Sequence, residues 1–255
     1  MAGRGRGPLS PIAIGGLIMA AGLVGMVVGH VSGKGLRWEE LVRDVGTSVG
    51  AELVAVAVTV LMIDRLADRR EMLRLRQQLV REASSTDHGL ALRAVLELDV
   101  RGFLAEGALV EARLGAANLH DIVLEGQDLH GADLAGANLH RANLSRSNLN
   151  GCNLNGCDLS EAVIEMADLS GARLQDTRID HADMAHVVLR EADLAGANLA
   201  HSDLTEADLR GALLRGADLT GCVLDGIRMN SSTTWDETTR WPGGFSPQAT
   251  LGNGN

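Results

Sequence analysis

Between Ala112 and Met229 the chain repeats its apolar positions every five residues. Leu114, Leu119, Leu124, Leu129 and Leu134 begin a series that runs in unbroken register to Leu219, Leu224 and Met229. Of its 24 centres 20 are Leu, the others being Ile164, Ile179, Met184 and Met229. Two residues before a centre stands a small residue such as Ala117, Ser147, Cys152 or Ala192, except at Ile122, Gln127, Val187 and Ile227. A period of five fits neither regular element. Residues five apart drift by roughly 140° around an α-helix, and an odd spacing alternates faces on a strand. The centres share one interior only if the chain turns once per repeat, which predicts a solenoid of short extended segments.

Segments such as Gly131-Ala132-Asp133-Leu134-Ala135 and Gly196-Ala197-Asn198-Leu199-Ala200 resemble the pentapeptide-repeat family. The resemblance implies an all-β solenoid, a right-handed quadrilateral β-helix with four repeats to a coil. In such a coil the centre and the small residue face inward and the other three positions face solvent. The register extends upstream through Leu104 and Leu109, so the β-helix is expected over 104–229. Trp38, Phe103, Trp235, Trp241 and Phe245 all lie outside its centres, in keeping with an interior tiled by Leu and Ala at close packing.

The N-terminal third has another pattern. Pro11 to Val31 carries no charge, and Val45 to Ile63 carries only Glu52. About 20 apolar residues suffice to cross a bilayer core, so residues 1–63 are expected to form an α-helical transmembrane hairpin with a short interfacial loop around Trp38. Arg4 and Arg6 precede the first span, and six Arg between Arg65 and Arg81 follow the second; only Lys34, Arg37 and Arg43 lie between. That asymmetry predicts an inner-membrane, multi-pass protein with both termini and the repeat domain cytoplasmic. The competing readings are a signal peptide and a soluble buried hairpin. Ala21, Gly25 and Gly29, like Gly46 and Gly50, are spaced for close helix packing, within the hairpin or in a dimer.

Asp64 to Glu82 reads as a basic juxtamembrane helix facing anionic lipid. Ala83 to His88 breaks it, with helix-start chemistry at Thr86 or Asp87. A helix to about Val100 then presents Ala91, Ala94, Val95 and Leu98 to the first coil, as a solenoid end needs. This helical connector spans 64–103. The stretch from Asp64 through Gly102-Phe103-Leu104 resembles the membrane-anchored subset of the family, a resemblance that implies no activity. Residues 230–255 read as an aromatic cap and a tail.

Charge and chemistry narrow the function. The net charge is −10, and residues 104–229 hold 20 acidic residues against 9 Arg, which disfavours direct binding to nucleic acid. Cys152, Cys157 and Cys222 sit at small inward positions and read as packed thiols. Repeats 20 apart stack, so His120 should lie over His140 and His181 over His201, with His130 and His186 elsewhere. A third metal ligand is not evident. Asp128, Asp133, Asn138, Asp168, Asp193, Asp208 and Asp218 precede centres but project singly, whereas calcium needs six to eight converging oxygens. No phosphate loop or nucleophile motif is present. The expectation is therefore no enzyme, no catalytic, cofactor or metal site, no cofactor and no small-molecule substrate.

The leading reading is a membrane-tethered scaffold for protein contact, its partners being membrane lipids and an unidentified protein, a second copy included. The alternative, implied by the resemblance, is an acidic DNA mimic that binds a type II topoisomerase. The third is a small channel or transport component using Glu52, for which interfacial placement is the plainer reading.

Overall fold

The structure, a computed structural model, describes residues 50–248. The first span, the loop around Trp38 and the residues up to Val49 lie outside the described residues. Two compact units divide between Arg74 and Leu75.

A single helix, α1, runs Gly50–Ala83. Its residues up to Arg74 belong to the first unit, where Val56, Val58, Leu61, Met62 and Ile63 are exposed. Among the described residues no helix is long and apolar enough to cross a membrane. Glu52 lies in the first turns of α1, and its side chain is outside the described residues. In the second unit the end of α1 buries Leu79 and Ala83, and Arg76 donates to the carbonyl of Glu106 at 3.3 Å.

Helix α2 runs His88–Val100. It starts there because the Asp87 carboxylate accepts from the Leu90 amide at 2.8 Å, satisfying one of the free N–H groups of the first turn. It stops at a left-handed Gly102, φ 75°. The Phe103 amide donates to the Leu98 carbonyl and the Gly102 amide to the Asp99 carbonyl, both at 2.8 Å. This is the glycine-terminated motif that satisfies a helix's last carbonyls, and Phe103 and Leu98 share the core beneath it. Ala91, Ala94, Val95 and Leu98 are buried.

From there the chain coils. The residue before each centre bridges in parallel to its equivalent 20 positions on, as in Asp133 to Asn153 and Asn138 to Asp158. Four five-residue segments therefore close each coil, giving four sides, named here by their first centres: the Leu109, Leu114, Leu119 and Leu124 sides. Each side rises ~4.8 Å per coil. The backbone ladder is regular: the Leu134 amide donates to the Asn153 carbonyl at 2.8 Å, and the Asp133 amide to the Ala112 carbonyl at 2.9 Å.

The corners are turns closed by the next small residue's amide on the centre's carbonyl, as from Ala132 to Leu129 at 2.9 Å; at the Ile179 corner the Ala182 amide donates instead to the Ser202 hydroxyl at 3.0 Å. In its type II form such a turn has positive φ at its third residue. All 24 such positions from Glu111 to Gly226 have it, 13 of them without glycine. The centres and their small partners line a continuous core, nearly all of it closed to solvent.

Pairing does not end at Met229. Leu213 bridges to Thr234 and Asp218 to Arg240, so the register continues with one extra residue in each of two turns. Thr233-Thr234-Trp235 and Thr239-Arg240-Trp241 thus occupy the small, outward and centre positions. The expectation that a ring has no place at a centre holds inside the stack. It fails at the final turn, where Trp235, Trp241 and Phe245 pack on the last rungs. Trp241 meets Trp235 edge-on at 5.9 Å and stacks on Phe245 at 5.1 Å.

Candidate functional site

The three cysteines are buried and free. Burial pushes the thiols up, to about 11 for Cys152, about 12 for Cys157 and about 11 for Cys222. Each donates to the carbonyl of a centre in the coil below: Cys152 to Leu129 at 3.0 Å, Cys157 to Leu134 at 2.7 Å, Cys222 to Leu199 at 2.9 Å. Thr177, Ser202, Thr233 and Thr239 use their hydroxyls in the same way. A small residue at the inward position thus either lacks a polar atom or donates to a centre's carbonyl, in the coil below or, at Ser147, to Leu144 three residues back at 2.6 Å. Protonated, inert thiols suit packing and no thiolate chemistry.

The histidines divide. His181 stacks on His201 with centroids 5.0 Å apart. His120 does not stack on His140; its ring lies on His88 at 3.6 Å, and its Nδ1 is 2.8 Å from Asp121 Oδ2. His140 Nδ1 instead meets Ser160 Oγ at 2.9 Å. The N-terminal helix supplies the partner for His120 because no coil precedes it there. His186 pairs with Glu206 at 3.4 Å, and the amide of His130 donates to Asp128 at 3.1 Å. Among the described residues no group of three His, Cys, Asp or Glu could hold a metal ion.

The Asp and Asn before the centres do not project singly. Asp133 accepts from the Ala135 amide at 3.3 Å, Asn138 from that of His140 at 3.1 Å, Asp168 from Ser170 at 2.9 Å and Asp218 from Thr220 at 3.0 Å. Asp193 accepts from Ala195 at 3.1 Å. Each side chain bonds the amide two residues on and so builds its own corner, the turn chemistry in which Asx residues excel. Between coils the amides of Asn148 and Asn153 donate to Asp128 and Asp133 at 2.9 and 2.7 Å. Much of the acidity is thus part of the coil's own bonding.

Asp208 is the most enclosed of these carboxylates. Arg210 grips both oxygens (Nε 2.8 Å, a terminal nitrogen 2.7 Å), and Arg190 Nε adds a bond at 2.8 Å. The Arg210 bonds first, and Arg190 after them, hold it well below the usual carboxylate range despite its burial.

The surface charge left over is uneven. Within residues 104–229 the Leu124 side and its following corner carry seven acidic residues and one Arg, Arg146. The opposite Leu114 side carries three of each. Nothing in the Leu ladder signals this; it emerges when outward residues are sorted by the 20-residue stack.

Comparison with known proteins accords with the coil. The model for pentapeptide repeats matches in eight copies, through overlapping segments from 109–146 to 192–230. No curated protein sequence matches the chain. Among solved structures, Rfr23 from the cyanobacterium Cyanothece 51142 is 27% identical, with 56% of this chain and 99% of that one covered and a TM-score of 0.33. HetL from Nostoc sp. strain PCC 7120, a pentapeptide repeat protein involved in heterocyst differentiation regulation, is 32% identical, with 46% and 65% covered and a TM-score of 0.24. QnrB1, a plasmid-mediated fluoroquinolone resistance protein, is 19% identical, with 52% and 72% covered and a TM-score of 0.45.

Proposed function

The coil makes this chain a member of the pentapeptide-repeat family, whose proteins form a right-handed quadrilateral β-helix, and from that premise we propose a non-catalytic scaffold for protein contact, held at a membrane by its N-terminal third. The observation that carries the scaffold is the closed interior. Centres and small residues are spent on the core. The cysteines, the turn carboxylates and the rings of His88, His120, His140, His181, His186 and His201 are engaged in packing or coil bonds, so the other outward side chains on rigid sides are what remains to recognise anything.

Two features support the tether. Pro11 to Val31 is uncharged over a length that matches a bilayer core, and Val56, Val58, Leu61, Met62 and Ile63 expose apolar surface on α1 where water gains nothing. On this reading the termini and the coil face the cytoplasm. Alkaline carbonate washing of membranes from expressing cells tests it: the full chain stays in the pellet, and release into the wash contradicts it.

Mimicry of duplex DNA toward a type II topoisomerase draws on the same net charge. The concentration of excess acid on the Leu124 side favours a one-sided protein contact over imitation of a rod charged evenly all round. Gyrase supercoiling left unchanged by saturating protein is the outcome expected here.

A further inference from the structure

Every side departs somewhere from Asx before the centre, at Arg113, Arg173 and Leu213 on the Leu114 side, at Arg178 on the Leu119 side and at Val188 and Arg228 on the Leu109 side. The Leu124 side departs in a pattern of its own. At the position before the centre, where Asx residues bond the turn, it carries Val123, Val163 and Val223. Their fractional exposures are 66%, 36% and 45%. Two residues after each stands an acid, giving Val123-x-Glu125, Val163-x-Glu165 and Val223-x-Asp225. On this side's intervening rungs Asn143, Asp183 and Asp203 return, each accepting from the amide two residues on. Elsewhere in the coil, an exposed Leu213 is followed at the same interval by Arg215.

Folding does not ask for this. All four sides share one backbone and one interior, so an Asx at each Val would add a turn bond and remove an exposed apolar side chain. The three Val-acid pairs stack on one column, the first two ~10 Å apart and the next ~14 Å further along. Met166, 44% exposed, adds apolar surface beside the middle pair. Among the described residues Glu165 and Asp225 form no salt bridge. Glu125 has only the exposed Arg146, at 3.4 Å, a pair weak enough to be exchanged.

We infer that the Leu124 side is a docking face for a cationic protein segment that carries apolar side chains beside its Arg or Lys residues. This rests on the scaffold reading and names the side and the partner's chemistry. Each Val gives an apolar contact at a fixed rung, and the acid two residues on receives a cation next to it. The opposite Leu114 side, balanced in charge, offers no such field. Charge complementarity of this kind sets orientation and partner choice more than raw affinity.

Fluorescence anisotropy of a labelled amphipathic leucine–lysine helical peptide with the full chain in detergent tests the inference directly, without an endogenous partner. Binding is expected at pH 7.5 and low salt. The triple variant Glu125→Gln, Glu165→Gln, Asp225→Asn is expected to weaken it about tenfold or more, and Val123→Ser, Val163→Ser, Val223→Ser several-fold. The control Glu111→Gln, Asp176→Asn, Glu191→Gln removes as much charge from other corners and is expected to stay within about twofold. Equal weakening by both charge triples, or by neither, overturns the inference while leaving the scaffold standing. Self-association of the chain alone that the first triple abolishes would put a second copy on this side and also overturn it. Circular dichroism establishes that each variant keeps its coil.

Discussion

The imidazole of His88 lies flat on that of His120, with centroids 3.6 Å apart and ring planes at 14°. His88 opens helix α2, and His120 follows a centre of the Leu119 side, so this stack joins the covering helix to the coil it covers. Beside it the Asn118 amide donates to the Ser85 carbonyl at 2.9 Å, closing one open edge of the first coil. Replacing His88 by Ala removes a ring contact worth about 0.5–1.5 kcal/mol. Hydrogen exchange should then quicken in 85–100 and leave 150–220 as it was. Uniform quickening along the coil would contradict this division.

Acid should weaken the coil at Asp208. Its folded value lies below the unfolded ~3.9, so its contribution is complete above about pH 5 and is lost as pH falls through 4 toward the folded value. The two Arg are partly exposed, which limits the contribution to about 1–2 kcal/mol. Asp208→Asn should be less stable than the parent by that amount at pH 7, and the difference should shrink steadily as pH falls from about 5 toward 2, by urea titration at each pH. A constant difference across the range would refute the linkage.

The left-handed corners invite a paired test. Met166 has φ 59° and an exposed side chain, so Met166→Gly relieves strain of ~1 kcal/mol at an entropic loss of similar size. It should leave the melting temperature within a few degrees. Gly151, φ 66°, has nothing within 4 Å of an added Cβ, and yet Gly151→Val should destabilise by more than ~1 kcal/mol, because a β-branched residue is poorly tolerated at that φ. If both substitutions are silent, the corner geometry is wrong.

The thiols should report opening of the core. Burial raises all three, so the folded state keeps them protonated. Their stabilising contribution is complete below the unfolded ~8.5 and declines as pH rises through that value toward 11. At pH 8 an aromatic disulfide reagent should label Cys152, Cys157 and Cys222 at the rate of unfolding and many-fold more slowly than in urea. Prompt labelling of the native chain would place the thiols outside the interior.

How much of this was legible in the sequence depends on which position of the repeat is read. The Leu centres and small partners announce the coil because burial constrains them in every repeat. Cys152 and Cys157 could be assigned to packing from their register alone, but their downward bonds to Leu129 and Leu134 follow only from knowing which carbonyl lies beneath. Trp235 and Trp241 escaped the ladder because one extra residue per turn shifts the interval from five to six; the small-x-ring pattern of Thr233 and Thr239 was the available signal. The His88–His120 stack had none, since it joins a helix to a coil across 32 positions. The Val-acid pairs were visible as letters and became a face only once residues 20 apart were placed on one side.

The central claim is that specificity resides on outward side chains of one side of a rigid coil. Site-specific photo-crosslinking of the full chain in the cells that make it tests it most directly, with the photoreactive residue at Val163 on the Leu124 side or at Arg173 on the Leu114 side. The account predicts one discrete protein adduct from position 163, lost when Glu125, Glu165 and Asp225 are neutralised, and none from position 173. The same adduct from both positions, or one that survives neutralisation, would contradict it.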